Sequence, residues 1–390
     1  MVPVPRIRGA ICATAHPVGC AVRVDGEIRA ALEHEGLARA RRGVRALVVG
    51  ASRGYGLSAR IALAFGCGAP TLGVFAERPP VPGKPASAGF HNARRFAERA
   101  AERGLAAFDL DADAFDPETV ERCAELVSGK WGALDLLVWS LAAPRGRDAD
   151  GTVRRSVLKP VGAPFETKTL DLASRTVKTA RLEPASPEEI ADTVATMGGS
   201  LWERWTERFA DAGLLAPGFR TVAFSYEGPA LTRAIYRDGT IGLAKADLEE
   251  TARRLDGRLR AIGGRAFATL NQALATQSSA AIPSVPLYLS ILRKEMLARG
   301  LWEDCGAQMR RLFSDFLFAD PVPVDALGRI RLDDRELDPE VQRAVSAAWE
   351  RATTENLSEI ADVDGYERDF LGIFGFGVDG VDYEAEVGLV

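Results

Sequence analysis

The feature that most constrains this chain is an apolar run that leads directly into a glycine-rich turn and then into a helical pattern. Residues 45–49 read R-A-L-V-V, the turn at residues 50–56 reads G-A-S-R-G-Y-G, and L-S-A-R-I-A-L-A-F follows. Glycines between a strand and a helix let the backbone approach a pyrophosphate closely, and the positive helix end stabilises the charge. Glycine-rich turns also occur without a ligand, but this context favours a dinucleotide site.

Apolar, β-rich runs alternate with amphipathic helical patterns along most of the chain. The predicted strands are residues 45–49, 71–75, 106–108, 134–139, 221–226 and 265–270. The predicted helices are residues 58–65, 92–103, 117–128, 187–196 and 245–262. Continuous apolar strands that alternate with helices indicate a parallel sheet covered on both faces. The sequence therefore predicts an α/β fold, a Rossmann-like doubly wound parallel sheet with extra N-terminal, insertion and C-terminal helical elements.

The domain organisation follows from the absence of any flexible linker in the sequence. We expect residues 1–390 to form a single elaborated Rossmann-type domain. Residues 45–145 and 221–290 would be its nucleotide-binding core, and residues 146–220 an insertion with substrate-side elements and a small hairpin. Residues 291–390 would be a C-terminal extension, which is mostly helical in pattern.

Composition and charge argue against several classes of function. The formal net charge is −5 and no Lys/Arg block is dense, so we expect neither nucleic acid nor a membrane surface as a partner. The chain shows no signal peptide and no run long enough for a spanning helix, which favours a cytoplasmic protein. Five scattered cysteines and three histidines without ligand spacing predict no metal site.

Further residues at predicted strand ends fit a dinucleotide. Glu77 stands roughly 20 residues beyond the glycine-rich turn, where an acidic side chain accepts from the adenosine ribose. A carboxylate there repels a 2′-phosphate, so we expect NADH rather than NADPH. Asp113 and Ala114 follow the third strand and are placed to meet the adenine, while residues 140–144 close the fourth. These segments all fall at the carboxyl ends of strands, where such sheets bind ligands.

A tyrosine and a lysine follow the fifth predicted strand, at Tyr236 and Lys245. This pair suits chemistry at a carbonyl oxygen, because the phenol donates to developing negative charge and a nearby ammonium lowers the phenol pKa. Nine residues of continuous helix rotate by roughly 900°, which would place the two on opposite faces. However, Asp238-Gly239-Thr240 is a turn and helix-start signal, so we expect Tyr236 to precede the helix of Lys245. The alternative is a core tyrosine and an exposed lysine that never meet.

The Tyr-x8-Lys pair after a G-A-S-x-G-Y-G turn resembles the FabV-type enoyl-ACP reductases and the related trans-2-enoyl-CoA reductases, which are relatives of the short-chain dehydrogenases. The likeness extends over nearly the whole chain. It includes R-G-x-I-C-x-T-A-H-P-x-G-C, S-L-A-A-P-R, M-G-G, Y-R-x-G-T-I-G, A-A-I-P-x-V-P-L-Y and F-G-F-G-V-x-G-V-D-Y.

The resemblance implies a role for each matching residue. Tyr236 would be the proton donor, Lys245 would bind the cofactor and support the tyrosine, and Tyr226 would contact substrate near the thioester carbonyl. Residues 278–288 resemble the helix that covers the acyl pocket. The implied NADH contacts are Gly50, Ala51, Ser52, Arg53, Gly54, Tyr55, Ala76, Glu77, Asp113, Ala114, Leu141, Ala142, Lys245, Leu274, Ala275 and Thr276.

The resemblance also implies the reaction and the partners. Hydride from NADH would add to the β-carbon of an enoyl thioester, and Tyr236 would hold the enolate oxygen. The substrate would be enoyl-CoA or enoyl-acyl carrier protein, and the enzyme a monomer. At Arg53 and Glu227 the sequence departs from the family pattern, which has a small residue and an aliphatic one there.

Two alternatives remain open at this stage. A carbonyl (β-ketoacyl) reductase of the short-chain dehydrogenase type uses the same Tyr and Lys but places them four residues apart on one helical face. A non-catalytic NAD(H)-binding sensor would bind cofactor without turnover. Separately, Trp202 and Trp205 are either core residues or the lining of an acyl tunnel, and their helical spacing favours the core.

Overall fold

The computed structural model describes residues 2–8, 11–40, 43–81, 84–147, 151–276 and 279–388. The predicted acyl-pocket segment 278–288 lies within these ranges except for its first residue. The described strands are β1 (Ile7–Arg8), β2 (Ile11–Cys12), β3 (Ala46–Val49), β4 (Thr71–Phe75), β5 (Ala107–Asp111), β6 (Leu134–Trp139), β7 (Arg145–Arg147), β8 (Val153–Arg155), β9 (Phe165–Asp171), β10 (Thr176–Leu182), β11 (Leu215–Ser225), β12 (Arg265–Leu270) and β13 (Ile330–Arg331).

Helices occupy most of the remaining described chain. They are α1 (Pro17–Leu32), α2 (Glu35–Arg39), α3 (Gly54–Ile61), α4 (Ala88–Glu102), α5 (Pro117–Trp131), α6 (Pro187–Met197), α7 (Ser200–Asp211), α8 (Thr240–Leu259), α9 (Val285–Ala298), α10 (Cys305–Arg311), α11 (Pro339–Arg351), α12 (Leu357–Ile360) and α13 (Val363–Gly372). Two of them, α3 and α10, continue as π-helical turns at Ala62–Gly66 and Leu312–Phe316.

Seven of the strands form one parallel sheet in the order β13-β12-β11-β6-β3-β4-β5. From β3 the strands β4 and β5 follow on one side. Strand β6 then pairs with the other side of β3, and β11, β12 and β13 follow it in that direction. The strand order therefore switches between β3 and β6, and ligands of such sheets bind at the carboxyl ends beside this switch point. The predicted doubly wound fold is confirmed.

The two faces of the sheet bury separate cores, because successive side chains of a strand point to opposite faces. Along β3, Ala46 and Val48 join the core under α1, α3, α4 and α10, which we call the α3 face. Leu47 and Val49 join the core under α5, α7 and α8, which we call the α8 face. Strands with both faces buried explain the continuous apolar runs in the sequence.

Both tryptophans of α7 belong to the core of the α8 face. Trp202 and Trp205 are at most 1% exposed. The Trp202 indole donates to the Thr221 hydroxyl at 2.8 Å, and the Trp205 indole donates to the Ala114 carbonyl at 3.2 Å. The structure therefore favours core packing over an acyl tunnel for this pair.

Several elements differ from the predicted ones. The insertion contains two antiparallel hairpins, β7–β8 and β9–β10, where one small hairpin was expected. Strand β11 begins at Leu215 rather than residue 221, with a shift of register relative to β6 between Leu215 and Arg220. The short strand β13 was not predicted.

Helices α11, α12 and α13 of the C-terminal extension pack around α9, and together they form a third apolar cluster. Tyr236 belongs to this cluster, so the extension helps to enclose the region after β11. In the described ranges, no helix is long and apolar enough to cross a membrane.

Candidate active site

Two glycines near β3 sit where no larger residue fits. Gly50 has a φ of +87°, and a Cβ on it would lie 2.2 Å from the Ser140 carbonyl oxygen. A Cβ on Gly56, in the first turn of α3, would lie 2.0 Å from the Gly50 carbonyl oxygen. Both positions therefore need glycine. The turn is held close against the end of β6, beside the switch point of the sheet.

The start of α3 leaves room for a ligand. Gly54 begins the helix with a φ of +52°, and a Cβ on it would meet nothing within 4 Å. Arg53 is the N-cap residue, and its side chain makes no capping hydrogen bond to the first turn. Unsatisfied amides at the positive end of a helix bind phosphate oxygens. This turn fits the pyrophosphate of a dinucleotide.

Glu77 directly follows β4, but its carboxylate faces inward. Its Oε1 accepts from the Ser52 hydroxyl at 2.6 Å and from the Arg53 guanidinium at 3.0 Å, and its Oε2 accepts from the Ser87 hydroxyl at 2.5 Å. The carboxylate side chain is only 2% exposed. A ribose hydroxyl bound here would therefore donate to a carboxylate that is already paired with Arg53. Ala76, the preceding residue, is exposed.

Tyr55 joins the glycine-rich turn to later parts of the chain. Its hydroxyl donates to the Gln272 carbonyl at 2.8 Å and lies 3.1 Å from Gln308 Oε1. Burial raises its pKa well above the ordinary value. The phenol therefore fixes the turn relative to the loop after β12 and to α10.

The remaining predicted cofactor residues lie beyond the carboxyl ends of β5, β6 and β12. In that order they are Asp113 and Ala114, Leu141 and Ala142, and Leu274, Ala275 and Thr276. The Ser279 hydroxyl lies 2.9 Å from the Thr276 amide and donates to the Leu274 carbonyl at 2.7 Å, which holds the last of these loops. The fold thus brings all five predicted cofactor segments, after β3, β4, β5, β6 and β12, to one edge of the sheet.

Tyr236 lies in the turns between β11 and α8, as the helix-start signal predicted, since α8 begins at Thr240. Its side chain is buried, and its ring packs edge-on against Tyr226 with centroids 4.7 Å apart. Its hydroxyl has no hydrogen-bond partner among the described residues. Burial raises its pKa, and the Glu336 carboxyl adds to the shift. Burial therefore dominates the pKa of this phenol, and a lowering by the Lys245 ammonium stays a prediction.

Lys245 lies in the second turn of α8. Its ammonium donates to the Phe224 carbonyl, near the end of β11, at 2.9 Å. Burial lowers its pKa to about 8, and the Glu249 carboxylate opposes that shift. The structure therefore ties the ammonium to a strand end, while two of its three N–H groups remain for other acceptors.

Glu336, in the C-terminal extension, holds two tyrosines beside Tyr236. Its Oε1 accepts from the Tyr226 hydroxyl at 2.9 Å and from the Tyr288 hydroxyl at 2.7 Å, and its Oε2 accepts from the Ala273 amide at 2.6 Å. Burial raises its pKa to about 7, against the effect of these hydrogen bonds. Sequence reasoning missed this residue, because it follows no predicted strand and belongs to no recognisable motif.

A second group of charges supports the end of β11. The Ser225 hydroxyl donates to Glu249 Oε1 at 3.0 Å, and the Arg329 guanidinium donates to Glu249 Oε2 at 3.1 Å. Arg329 also lies 3.3 Å from the Glu227 carboxylate. The unusual Glu227 thus has a cation in the C-terminal extension, which compensates its charge.

The fold and the site define a dinucleotide-binding α/β protein, in which a buried phenol and a partly buried ammonium lie at the nucleotide edge of the sheet. The described residues contain no group of three or more His, Cys, Asp or Glu side chains arranged to hold a metal ion.

Three family models match successive parts of the chain. The NAD(P)H binding domain of trans-2-enoyl-CoA reductase matches residues 2–82, the trans-2-enoyl-CoA reductase catalytic region matches residues 84–318, and the enoyl reductase FAD binding domain matches residues 324–387. The chain belongs to the trans-2-enoyl-CoA reductase family, which confirms the predicted resemblance.

Full-length relatives and solved structures agree with this assignment. The enoyl-[acyl-carrier-protein] reductase [NADH] of Opitutus terrae is 48% identical, over 99% of this chain and 98% of its own. The trans-2-enoyl-CoA reductase [NADH] of Ruminiclostridium cellulolyticum is 42% identical, with the same coverage. The crystal structure of Treponema denticola trans-2-enoyl-CoA reductase in complex with NAD has a TM-score of 0.95 and 43% identity, over 99% of this chain and 98% of that one.

The family model that matches residues 324–387 is named for FAD binding, but the residues it matches do not fit that cofactor. Its glycine-rich stretch lies against the start of α1, where a Cβ on Gly19 would lie 1.8 Å from the Gly375 carbonyl oxygen. A Cβ on Gly375 would in turn lie 2.5 Å from the His16 carbonyl oxygen. These glycines therefore serve backbone packing, and they do not follow a strand as nucleotide-binding glycines do.

Proposed function

We propose that this protein uses NADH to reduce the conjugated double bond of trans-2-enoyl thioesters, which yields the saturated acyl thioesters of fatty acid synthesis. The observation that carries the proposal is the buried Tyr236 phenol, without a partner among the described residues, at the same edge of the sheet as a glycine-rich turn that fits a dinucleotide. Relatives named as NADH-dependent enoyl reductases, at 48% and 42% identity over the full chain, support it. At this level the predicted enzyme class and cofactor are confirmed.

The chain's own residues would stabilise the developing enolate. NADH supplies the hydride that reaches the substrate β-carbon. Tyr236 keeps its proton at neutral pH, because burial raises its pKa, and it donates a hydrogen bond to the thioester oxygen as negative charge develops there. The closed apolar surroundings strengthen this hydrogen bond, since they exclude water. Tyr236 then transfers its proton to the enolate, which becomes the saturated product, and the phenolate takes a new proton from solvent.

Lys245 and Tyr226 would take supporting roles. The Lys245 ammonium is anchored on the Phe224 carbonyl and has further N–H groups for cofactor hydroxyls. Tyr226 already donates its proton to Glu336, so it would position the substrate through its ring and its oxygen. We therefore assign proton donation to Tyr236 alone. The loops after β3, β4, β5, β6 and β12 would hold NADH at the positions predicted from the sequence.

The function is tested by following NADH oxidation with crotonyl-CoA, with the matching β-ketoacyl-CoA and with an NADPH control. Oxidation that depends on the enoyl thioester and prefers NADH is expected. Turnover of the keto thioester alone would instead indicate a carbonyl reductase. NADH binding without turnover of either substrate would indicate a sensor.

The finer features of the enzyme remain proposals that rest on the sequence resemblance. We propose that both enoyl-CoA and enoyl-acyl carrier protein are accepted, since both present the same thioester. We also propose a cytoplasmic monomer that folds as one elaborated domain. Light scattering of the purified protein would measure its mass in solution, and a dimer mass would contradict the monomer.

A further inference from the structure

The hairpin β7–β8 directly follows the end of β6 and places three arginines on one face. Its register pairs Arg145 with Arg155, Gly146 with Arg154, and Arg147 with Val153. Directly opposed residues of antiparallel strands share a face, and successive residues alternate between faces. Arg145, Arg147 and Arg155 therefore lie on one side of the hairpin, which we call the arginine face.

The other side of the hairpin is packed against the protein. A Cβ on Gly146 would lie 2.4 Å from the Phe115 ring, so this residue contacts the core of the α8 face. Arg154, beside it, donates to the Asp192 carboxylate of α6 at 2.9 Å. The arginine face consequently points away from the protein, and Arg145, Arg147 and Arg155 are all exposed.

The residues that the structure describes offer no counter-charge to the arginine face. None of its three arginines forms an ion pair or a side-chain hydrogen bond with the residues that the structure describes, whereas Arg154 of the same hairpin is paired. Like charges directly opposite each other in a sheet are destabilising, and Arg145 faces Arg155 in this way. Three guanidiniums side by side, without a partner in the described part of the chain, suit a phosphate, because each presents a fork of N–H donors.

The hairpin is tied to the turn that carries Tyr236. The Ser156 amide, just after β8, donates to the Pro144 carbonyl at 3.1 Å. The segment after β8 is also bound to the first residue of α8. The Thr240 amide donates to the Lys159 carbonyl at 3.0 Å, and the Thr240 hydroxyl donates to the Val157 carbonyl at 2.6 Å. The arginine face thus lies between the end of β6 and the start of α8.

The position also separates this face from the expected pyrophosphate of NADH. The glycine-rich turn leads into α3, which covers one face of the sheet. The hairpin packs on α6 and on Phe115, and α6 packs on α8, which covers the other face. The arginine face therefore lies on the side of the sheet that carries Lys245.

We propose that the arginine face binds the phosphate of the phosphopantetheine arm that carries the enoyl group. This inference rests on the proposed function, because that arm is what enoyl-CoA and enoyl-acyl carrier protein share. The thioester would lie near Tyr236, and the phosphate at the other end of the arm would meet the hairpin.

The test compares substrates with and without that phosphate. The variant Arg145→Gln/Arg147→Gln/Arg155→Gln is assayed with crotonyl-CoA and with the N-acetylcysteamine thioester of crotonate, which has no phosphate. We expect the KM for crotonyl-CoA to rise about tenfold or more, since charge-assisted hydrogen bonds are lost, with little change in kcat. The kinetics with the N-acetylcysteamine thioester should match those of the unchanged enzyme. Arg154→Gln, on the packed side of the hairpin, is the matched control and should leave both KM values within about twofold.

Other outcomes would overturn the proposal. An equal rise in KM for both thioesters would indicate a general disturbance of the site, and a rise in the KM for NADH would assign the face to the cofactor. A parallel assay with crotonyl-acyl carrier protein shows which part of the substrate the arginine face binds. A similar loss with both carriers supports the shared phosphate. A loss confined to crotonyl-CoA would indicate its nucleotide, and one confined to the carrier protein would indicate a protein surface. If the unchanged enzyme reduces no enoyl thioester at all, the proposed function itself fails.

Discussion

Three tyrosines and one carboxylate surround the proposed reaction centre, and their hydrogen bonds decide which phenol can give up a proton. Tyr226 and Tyr288 both donate to Glu336, whereas Tyr236 has no partner among the described residues. Burial raises the pKa of all three phenols, so each remains protonated at neutral pH. Of these three phenols, only Tyr236 has a proton with no acceptor among the described residues.

Replacing Tyr236 by phenylalanine should therefore remove the proton donor and leave the packing intact. We expect kcat for crotonyl-CoA to fall about 100- to 10,000-fold, the usual size of a general-acid contribution. The dissociation constant of NADH should be unchanged, as measured by quenching of protein fluorescence. Tyr383→Phe, which removes a phenol from the distant C-terminal segment, is the control. Near-normal turnover by the Tyr236 variant would refute the assignment.

Glu336 should make the stability of the protein depend on pH. Burial raises its pKa from 4.5 to about 7, so the folded state binds the proton more tightly than the unfolded state does. Its contribution to the free energy of unfolding is therefore full below 4.5 and is lost as the pH rises through about 7. Relative to Glu336→Gln, the unchanged protein should lose up to roughly 3 kcal/mol between about pH 5 and pH 8.

Urea unfolding of both proteins at the two pH values measures this difference. The neighbouring Asp333, whose pKa is also raised by burial, is present in both proteins and cancels. The same pH dependence in both would show that Glu336 does not titrate in this range.

At the residue scale, sequence reasoning can propose a role only where chemistry is encoded in a local pattern. Tyr236 and Lys245 stand in a recognisable motif next to a predicted strand. Glu336 belongs to the C-terminal extension, whose path cannot be predicted from periodicity. Only the tertiary structure shows that it contacts Tyr226, from which it is 110 positions away in the sequence. The inward orientation of Glu77 was also hidden, because it depends on the serine and arginine side chains around it.

Among the elements, the junction between the Tyr236 turn and α8 is tightly built. A Cβ on Gly242 would lie 2.0 Å from the Arg237 carbonyl oxygen and 2.2 Å from that of Tyr236. A Cβ on Gly239 would lie 2.4 Å from the Ile235 carbonyl oxygen. The glycines of the Y-R-x-G-T-I-G motif thus let the turn fold back onto the first turn of the helix.

Substituting Gly242 by alanine should displace the turn and with it the Tyr236 phenol. We expect a loss of about 1–3 kcal/mol in the free energy of unfolding, as for other overpacked sites, together with a lower kcat. Gly257→Ala is the matched control, since it lies in the same helix with open space around its Cβ position. That variant should be more stable by about 0.5–1 kcal/mol and fully active. Equal effects of the two substitutions would contradict the packing argument.

Strands with buried faces on both sides were predicted well because their apolar runs are continuous. The start of β11 was missed, since Pro217 and Gly218 indicate a turn, although the structure accommodates them through a shift of register. The two residues of β13 are too few to show any pattern. Its pairing with β12 depends on the long-range path of the extension.

The molecule as a whole couples the C-terminal extension to the sheet. Arg329 reaches Glu249 of α8, and Glu336 reaches Tyr226 at the end of β11. The Tyr55 hydroxyl of the first segment matched by a family model donates to the Gln272 carbonyl of the second, so contacts join all three segments. We propose on this ground that the described chain folds as one cooperative unit.

Urea denaturation followed by circular dichroism, by tryptophan fluorescence and by residual activity checks that proposal. One domain predicts a single transition with coincident midpoints for all three signals. An early loss of activity with an intact circular dichroism signal would show that the extension unfolds separately.

The ion pair between Arg53 and Glu77 also bears on how such an enzyme could change its source of electrons during evolution. The carboxylate is enclosed by Ser52, Arg53 and Ser87 rather than directed outward. A lineage that lost this carboxylate would keep the guanidinium beside the ribose, where a 2′-phosphate could be accommodated. A single inherited substitution would then move the enzyme from the NADH pool of a cell to its NADPH pool, without any change in the backbone that holds the cofactor.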